Sequence, residues 1–261
     1  MDYHISLVGF LIGFLVGLTG IGGGAFLTPL MILLFNVPPV FAVGVDFVYS
    51  TIMKVFGVAT HMKQNHINFK IAFYLSSGSI PMVLLSSILI NIFRKQYGNV
   101  INEIILHSLG IVLLLSACII LCKPFFLRRI TELYPRSDFL HFLHKHRLIV
   151  VICVGAVIGF IIGLTSVGSG SLIFVALSLL YPRLSSKQLV GTDIFQSLLL
   201  LLAGSFVYIF AAEVNWHLVG LLVLGAIPGI IIGSVLTKKI PESVFRPIIA
   251  ILLIITAVKL L

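Results

Sequence analysis

A glycine-rich segment occurs twice in this chain, at a shift of 146 positions. Residues 13–24 read GFLVGLTGIGGG, and residues 159–170 read GFIIGLTSVGSG. The similarity continues at a shift of 147, where Asp46 and Asp193 each follow a glycine by two positions and precede a serine by four. A repeat of this kind predicts two homologous halves, each with the same succession of segments.

The composition places both halves in a membrane. Hydrophobic residues make up 59% of the 261 residues, charged residues make up 10%, and the mean hydropathy is +1.21. This is too little polar surface for a water-soluble globule of this size. The 17 Lys and Arg outnumber the 8 Asp and Glu, but most of these cations lie in short connectors. They therefore indicate membrane topology and contact with lipid headgroups, and no nucleic-acid partner.

Eight apolar runs approach or exceed the ~20 residues that a bilayer core requires, four in each half. They cover roughly 5–35, 40–62, 68–93, 101–122, 148–181, 188–212, 216–237 and 245–261. The sequence thus predicts an all-α polytopic membrane protein. We divide it into an N-terminal membrane repeat (1–122), a basic cytoplasmic connector (123–147) and a C-terminal membrane repeat (148–261).

The first run of each half is too long for one straight transmembrane helix. A helix of about 31 residues would be ~46 Å long, whereas the hydrocarbon core is ~30 Å thick. Each glycine near the centre of the run disfavours helix by ~1 kcal/mol relative to alanine. We therefore predict that each half opens with a glycine-broken helix, either discontinuous or re-entrant.

The distribution of positive charge favours a re-entrant hairpin. If the first runs span the membrane, eight connector cations lie on one side and seven on the other. If these runs turn back, thirteen cations share one side, and only Arg94 and Lys95 remain opposite. By the positive-inside rule the second arrangement is favoured, with three crossings per half and an inverted relation between the halves.

The predicted breaks are candidate anion sites. Each break exposes the first N–H groups of the following half-helix, near 24–27 and 170–173, at the positive end of its dipole. The alternative is that the glycines only permit close helix packing. The predicted substrate-binding residues are Thr19, Gly20, Gly22, Gly23, Gly24, Lys54, Thr165, Ser166, Gly168, Ser169 and Gly170.

One carboxylate lies inside the second run of each half. Asp46 is followed four residues later by Ser50, and Asp193 by Ser197, so each pair shares one helix face. Such a carboxylate could carry a proton for coupled transport or gate it, or it could cap a helix after a glycine kink. Both interpretations stay open.

Lys54 lies deeper in the same run than Asp46. Its counterpart at the repeat shift is Leu201, so the cation has no equivalent in the second half. A lysine facing lipid would be costly, and we therefore expect Lys54 to face a cavity, an anion or a partner such as Asp193.

No disulfide, metal site or cofactor is expected. The three cysteines lie in or beside apolar runs without paired spacing, so we interpret them as core residues. The connector histidines are interpreted as part of a solvated basic face. These residues are Cys118, Cys122, Cys153, His141, His144 and His146.

The glycine pattern resembles the TauE/SafE family of sulfite exporters, an anion-permease family, over essentially the whole chain. The matching residues are Gly13, Gly17, Gly20, Gly22–Gly24 and Pro29 in the first half, and Gly159, Gly163, Gly168, Gly170 and Gly191–Asp193 in the second. The resemblance implies a permease or exporter of a bacterial-type inner membrane. Its expected substrates are sulfite, thiosulfate, organosulfonates or related small anions.

We therefore expect a secondary transporter and no enzyme, in which access to the glycine breaks alternates between the two sides of the membrane. Coupling to a proton or cation and assembly into a homo-oligomer stay open. The alternatives are an anion channel, a membrane scaffold without solute flux, and an intramembrane hydrolase. The last would use Ser169 or Ser171 as nucleophile and His217 as base.

Overall fold

The computed structural model describes residues 2–19, 24–133, 147–181, 184–211, 214–237 and 242–261, and over these residues it contains helices and no strand. The helices are α1 (Asp2–Thr19), α2 (Gly24–Phe35), α3 (Pro39–Lys63), α4 (Phe69–Leu133), α5 (Arg147–Thr165), α6 (Leu172–Leu180), α7 (Ser186–Phe210), α8 (Trp216–Thr237) and α9 (Glu242–Leu260). The predicted all-α architecture is confirmed.

Five helices in the described part of the chain are long and apolar enough to cross a membrane. These spans are Pro39–Lys63, Phe69–Cys122, Arg147–Thr165, Lys187–Phe210 and Trp216–Gly233. Shorter apolar helices cover Tyr3–Gly17, Gly24–Phe35 and Pro247–Leu260. Many large apolar side chains face outward, including Phe206, Phe210 and Ile231, as expected where lipid is the solvent. The chain is an integral membrane protein.

Helix α4 contains two of the predicted runs and turns back between them. Its backbone leaves helical geometry at Tyr97, where φ is −129° and ψ is 42°. Gly163 lies against Ser86, before this point, and Gly168 lies against Val112, after it. A straight helix would separate Ser86 from Val112 by roughly 39 Å, whereas the chain from 163 to 168 reaches at most roughly 18 Å. The two arms of α4 must therefore fold back on each other.

The long first run of each half is divided between two helices. In the first half α1 ends at Thr19 and α2 begins at Gly24, and residues 20–23 between them lie outside the described residues. In the second half α5 ends at Thr165 and α6 begins at Leu172. There the chain passes through the left-handed region at Ser166 (φ 57°) and Gly168 (φ 102°). A right-handed helix cannot continue through two such residues.

The first helix of each half packs closely on the third segment of the other half. Thus α1 lies along α8, and α5 lies along the first arm of α4. At four glycines of α1 and α5 an added Cβ would come within 2.4 Å of a backbone oxygen of the facing helix. These contacts are Gly9 with Leu222, Gly13 with Ala226, Gly155 with Leu75, and Gly159 with Ser79. These glycines therefore permit close helix packing, which was the alternative to their forming an anion site.

Helices α3 and α7 cross in opposite directions. The ring of Phe47, early in α3, stacks on Tyr208, late in α7, with centroids 5.2 Å apart. Gly57, later in α3, faces Ile194, early in α7. The two helices that carry the intramembrane carboxylates are thus antiparallel.

The cysteines correct one prediction. Cys118, Cys122 and Cys153 are free and exposed, so their assignment to the core was wrong. In a membrane protein the outward-facing surface is as apolar as the interior. Position in an apolar run therefore does not distinguish the core from the lipid-facing surface.

Candidate functional site

A cluster of buried polar side chains lies where α2, α3, α7 and the break between α5 and α6 meet. Each member is less than a tenth exposed. We call it the central cluster; it contains Thr28, Asp46, Ser50, Lys54, Ser166, Ser169, Asp193 and Ser197. Seven of these eight residues are among those predicted from the sequence. Ionisable groups inside a membrane protein are costly, and they usually mark a functional site.

Asp46 is completely buried and accepts hydrogen bonds from three hydroxyl groups. Ser50 donates to Oδ1 at 2.8 Å, and Thr28 donates to Oδ2 at 3.1 Å. Ser166 also donates to Oδ2. The four-residue spacing to Ser50 brings the two side chains together on α3, whereas Thr28 and Ser166 come from α2 and from the break in the other half. Hydrogen bonds of this kind stabilise a buried carboxylate.

The carboxylate of Asp46 also lies at the start of α2. An added Cβ on Gly24, the first residue of that helix, would be 2.7 Å from Asp46 Oδ2 and 2.7 Å from the carbonyl oxygen of Ser166. The positive end of a helix dipole favours negative charge at this position. Asp46 therefore occupies the place at the first break where the sequence predicts an anion.

Lys54 connects α3 with the second break. Its side chain is 7% exposed, and its Nζ donates to Ser169 Oγ at 3.2 Å. The carbonyl oxygen of Ser169 in turn lies 3.1 Å from the hydroxyl of Ser197, which donates to Asp193. Lys54 thus faces a polar interior, as expected, and Ser169 and Ser197 lie between it and Asp193.

Asp193 has fewer hydroxyl donors than Asp46. Ser197 donates to Asp193 Oδ1 at 3.1 Å, and the same hydroxyl lies 3.1 Å from the carbonyl oxygen of Ser169. At the repeat shift of 146, Phe174 corresponds to Thr28 and Gly20 corresponds to Ser166. Two of the three hydroxyl groups around Asp46 thus have no hydroxyl counterpart in the other half.

The remaining predicted residues lie at or near the breaks. Thr165 is a local capping group, since its Oγ1 donates to the carbonyl oxygen of Ile161 at 2.9 Å and accepts from the N–H of Val167 at 3.2 Å. Gly168 supplies a left-handed conformation, and Gly170 lies in the turn before α6. Thr19 ends α1, but its side chain is not described. Gly20, Gly22 and Gly23 lie outside the described residues.

Thr28 was not among the residues predicted from the sequence. It is the only hydroxyl residue in α2, whose sequence is GAFLTPLMILLF. An isolated threonine four residues after the glycine cluster was the available signal. Gln196 was also missed: it is fully buried and donates to Ser79 Oγ at 2.7 Å. Its signal was an amide side chain inside an apolar run, three residues after Asp193.

The serines and the histidine considered for an intramembrane hydrolase do not lie together as a catalytic site. Ser169 and Ser171 are buried and bonded to Lys54 and Ser116, respectively. His217 is exposed at the beginning of α8. Within the described residues no group of three or more His, Cys, Asp or Glu could hold a metal ion. The predicted connector histidines, His141, His144 and His146, lie outside those residues.

An all-helical membrane protein whose broken helices meet at a buried polar centre has the architecture of a polytopic membrane transporter. The family model described as "Sulfite exporter TauE/SafE" matches residues 5–260. The chain therefore belongs to the TauE/SafE family of membrane transporters, as its glycine pattern indicated.

Similar proteins cover the whole length of the chain. It is 41% identical over 261 residues to "Probable membrane transporter protein YjnA" of Bacillus subtilis (strain 168), with 100% of both chains covered. It is 27% identical over 243 residues to "Probable membrane transporter protein YdhB" of the same organism, with 93% of each chain covered. A third relative from that organism, "Probable membrane transporter protein YunE", is 24% identical over 271 residues and covers 100% of this chain and 98% of its own length. No solved structure matches the chain.

Proposed function

We propose that the protein is a secondary transporter of small anions in a bacterial-type inner membrane. Its substrates are sulfur-containing oxyanions or organosulfonates such as sulfite, and access to the central cluster alternates between the two sides. The family description names sulfite export, and the relatives are named as membrane transporters, which supports both transport and the chemical class of the substrate.

The observation that carries this proposal is the position of Lys54 at the second break. A buried ammonium group and the hydroxyl of Ser169 lie just before α6, whose first residue is Leu172. A cation, a hydroxyl donor and the start of a helix together suit an oxyanion. At the first break the corresponding place is taken by Asp46. The substrate therefore binds at the second break.

Two homologous halves account for the paired contacts between helices. Gly9 faces Leu222 and Gly155 faces Leu75; the glycines differ by 146 positions and their partners by 147. Gly57 faces Ile194, and Gly204 faces Phe47, both pairs related by 147. Contacts that map onto each other when the halves are exchanged support a repeat with a two-fold relation.

The antiparallel crossing of α3 and α7 supports re-entrant first runs. Two crossings, the arms of α4, separate α3 from the first run of the second half. If that run also crosses the membrane, α7 is the fourth crossing after α3 and must run parallel to it. If the run turns back, α7 is the third crossing and runs antiparallel to α3, which is the direction that the contacts of Phe47 with Tyr208 and of Gly57 with Ile194 support. The halves are then inverted relative to each other.

The packing of the helices supports a particular division into moving parts. The pair α1–α8 and the pair α4–α5 each combine one helix of the first half with one helix of the second half. Alternating access therefore moves such mixed pairs relative to the central cluster, rather than one half against the other. The change in access exposes Lys54 first to one side of the membrane and then to the other.

Reconstituted transport tests this function directly. Purified protein in lipid vesicles is assayed for flux of sulfite, sulfate, thiosulfate, sulfoacetate and simple carboxylates. Saturable flux of a sulfur oxyanion or sulfonate is expected. Single-channel currents would indicate a channel instead, and the absence of flux for every anion would contradict transport.

Lys54→Met tests the site, with Lys63→Met, an exposed lysine at the end of the same helix, as the matched control. Loss of the ammonium group should weaken anion binding by about tenfold or more, because a charge-assisted hydrogen bond and its attraction are both removed. The control should bind as the original protein does. If both variants bind the anion with equal affinity, Lys54 does not contribute to substrate binding.

A further inference from the structure

The two carboxylates at equivalent positions of the halves have different surroundings, although their sequences match locally. Asp46 accepts from three hydroxyl groups and lies against the start of α2. Among the described hydroxyl groups Asp193 accepts from Ser197 alone, and that hydroxyl lies against the carbonyl oxygen of Ser169, the residue that accepts from Lys54. Asp46 is therefore held by three neutral donors, whereas Asp193 has one neutral donor and lies beside the residue that holds Lys54.

Lys54 attracts an anion, but the net charge of the central cluster opposes one. Its ionisable members are Asp46, Lys54 and Asp193, which sum to one negative charge when all three are ionised. Lys54 donates to Ser169, whose carbonyl oxygen lies 3.1 Å from the hydroxyl that donates to Asp193. Asp46 and the buried Tyr49 lie on the same helix as Lys54. An anion that draws Lys54 to itself would leave both carboxylates without a counter-ion in a buried place.

We propose that Asp193 takes up one proton for each anion that binds to Lys54, and that Asp46 is a fixed structural carboxylate. This inference rests on the proposed function. A proton from water on the open side binds to a carboxylate oxygen of Asp193, while Lys54 stays protonated and its charge passes from Asp193 to the anion. After the site opens to the other side, the anion leaves and the proton returns to water. The pair of Lys54 and Asp193 then forms again.

Asp193 is assigned as the proton acceptor in preference to Asp46 because the two carboxylates would lose different interactions on protonation. A neutral Asp46 would weaken three hydrogen bonds, among them those that join Thr28 of the first half to Ser166 of the second. A neutral Asp193 loses chiefly the attraction of Lys54, which the bound anion has already withdrawn. The proton therefore binds where the anion has removed the compensating charge.

Proton uptake per bound anion is the direct measurement. Purified protein in weakly buffered solution is titrated with thiosulfate, sulfate or sulfoacetate, and a pH indicator reports the protons taken up. These anions are fully ionised near neutral pH and do not take up protons themselves, so any proton uptake that is measured is uptake by the protein. Sulfite is left out of this assay because it takes up a proton itself in that range. A ratio of about one proton per anion is expected.

Asp193→Asn should reduce this ratio to zero and remove the dependence of vesicle flux on a pH gradient. Asp193→Glu should restore proton uptake at least in part, which a purely structural role would not do. Glu103→Gln is the matched control, because Glu103 is an exposed carboxylate of α4; it should keep the ratio of the original protein. Undiminished proton uptake in Asp193→Asn would overturn the proposal.

A stability measurement covers the case in which Asp193→Asn does not fold. Lys54→Met alone leaves two carboxylates without their cation and should lower the unfolding temperature, whereas Lys54→Met with Asp193→Asn removes both members of the pair. Recovery of stability in the double variant would support the pairing, and additive losses would contradict it. If the original protein transports an anion without proton uptake, this inference fails alone. If no anion is bound or transported, the proposed function fails with it.

Discussion

The hydroxyl group of Thr28 lies 3.1 Å from a carboxylate oxygen of Asp46 and donates a hydrogen bond to it. The same hydroxyl lies 2.9 Å from Ser166 Oγ, in the other half of the chain. One carboxylate thus holds the short helix after the first break against the residue that begins the second break. Both interruptions are thereby tied to α3.

Thr28→Val tests this connection, since valine has nearly the same shape but no hydroxyl group. The substitution should lower the free energy of unfolding by about 1–3 kcal/mol, because Asp46 loses one of its donors while staying buried. Thermal unfolding in detergent is the measurement. Thr256→Val is the matched control: Thr256 is only partly buried on α9 and donates within its own helix to Leu252. Equal stability of the two variants would show that Thr28 contributes only its volume.

Ser166 combines a side-chain contact with an unfavourable backbone conformation, and two substitutions separate these effects. Its φ of 57° is costly for residues other than glycine. Both Ser166→Ala and Ser166→Gly remove the hydrogen bond to Asp46. The glycine variant should nevertheless be more stable than the alanine variant by about 1 kcal/mol, because glycine adopts this conformation freely. An alanine variant as stable as the glycine variant would show that the backbone at the break is unstrained.

The close contact of α1 with α8 predicts a steric effect at Gly13. An alanine Cβ there would lie 2.3 Å from the carbonyl oxygen of Ala226, so the two helices must separate. Gly13→Ala should therefore destabilise the protein by about 1–3 kcal/mol. Gly220→Ala is the control, because an added Cβ at this glycine of α8 meets nothing within 4 Å. The control should be neutral or slightly stabilising through its higher helix propensity. If Gly13→Ala is as stable as the Gly220→Ala control, close contact between α1 and α8 at Gly13 does not contribute to stability.

Re-entrant first runs make a prediction about sidedness. In a variant without the native cysteines, single cysteines replace Gln64, Lys95 and Lys187, which are all exposed. Gln64→Cys and Lys187→Cys should react with a membrane-impermeant maleimide from the same side, and Lys95→Cys from the opposite side. If the first runs span the membrane, Gln64→Cys and Lys187→Cys must label from opposite sides.

Local spacing was sufficient to predict part of the central cluster. Asp46 with Ser50 and Asp193 with Ser197 meet because residues four apart share a helix face. The divided first runs follow from length and glycine content, and the unmatched Lys54 identified a cation that needed a buried partner. These features depend on short stretches of chain, so they can be recognised in one sequence.

Contacts between distant segments could not be derived in the same way. Ser166 was recognised as a hydroxyl donor, but its bond to Asp46 spans 120 positions and depends on how the halves pack. The glycines predicted close packing without identifying the partner, because a backbone without Cβ fits many helices equally well. That α1 would lie on α8 was therefore not predictable. Hydropathy also failed to orient Cys118 and Cys153, since lipid and protein interior are similarly apolar.

The partnership of α1 with α8 has a consequence for biosynthesis. Helix α1 ends at Thr19, but the surface that covers its glycines begins only at Trp216, so α1 is synthesised long before its partner. During most of translation this face of α1 has no native partner. Conversely, α5 meets the first arm of α4 as soon as it is inserted. We therefore expect α5 to reach its native position before α1, although α1 is synthesised earlier.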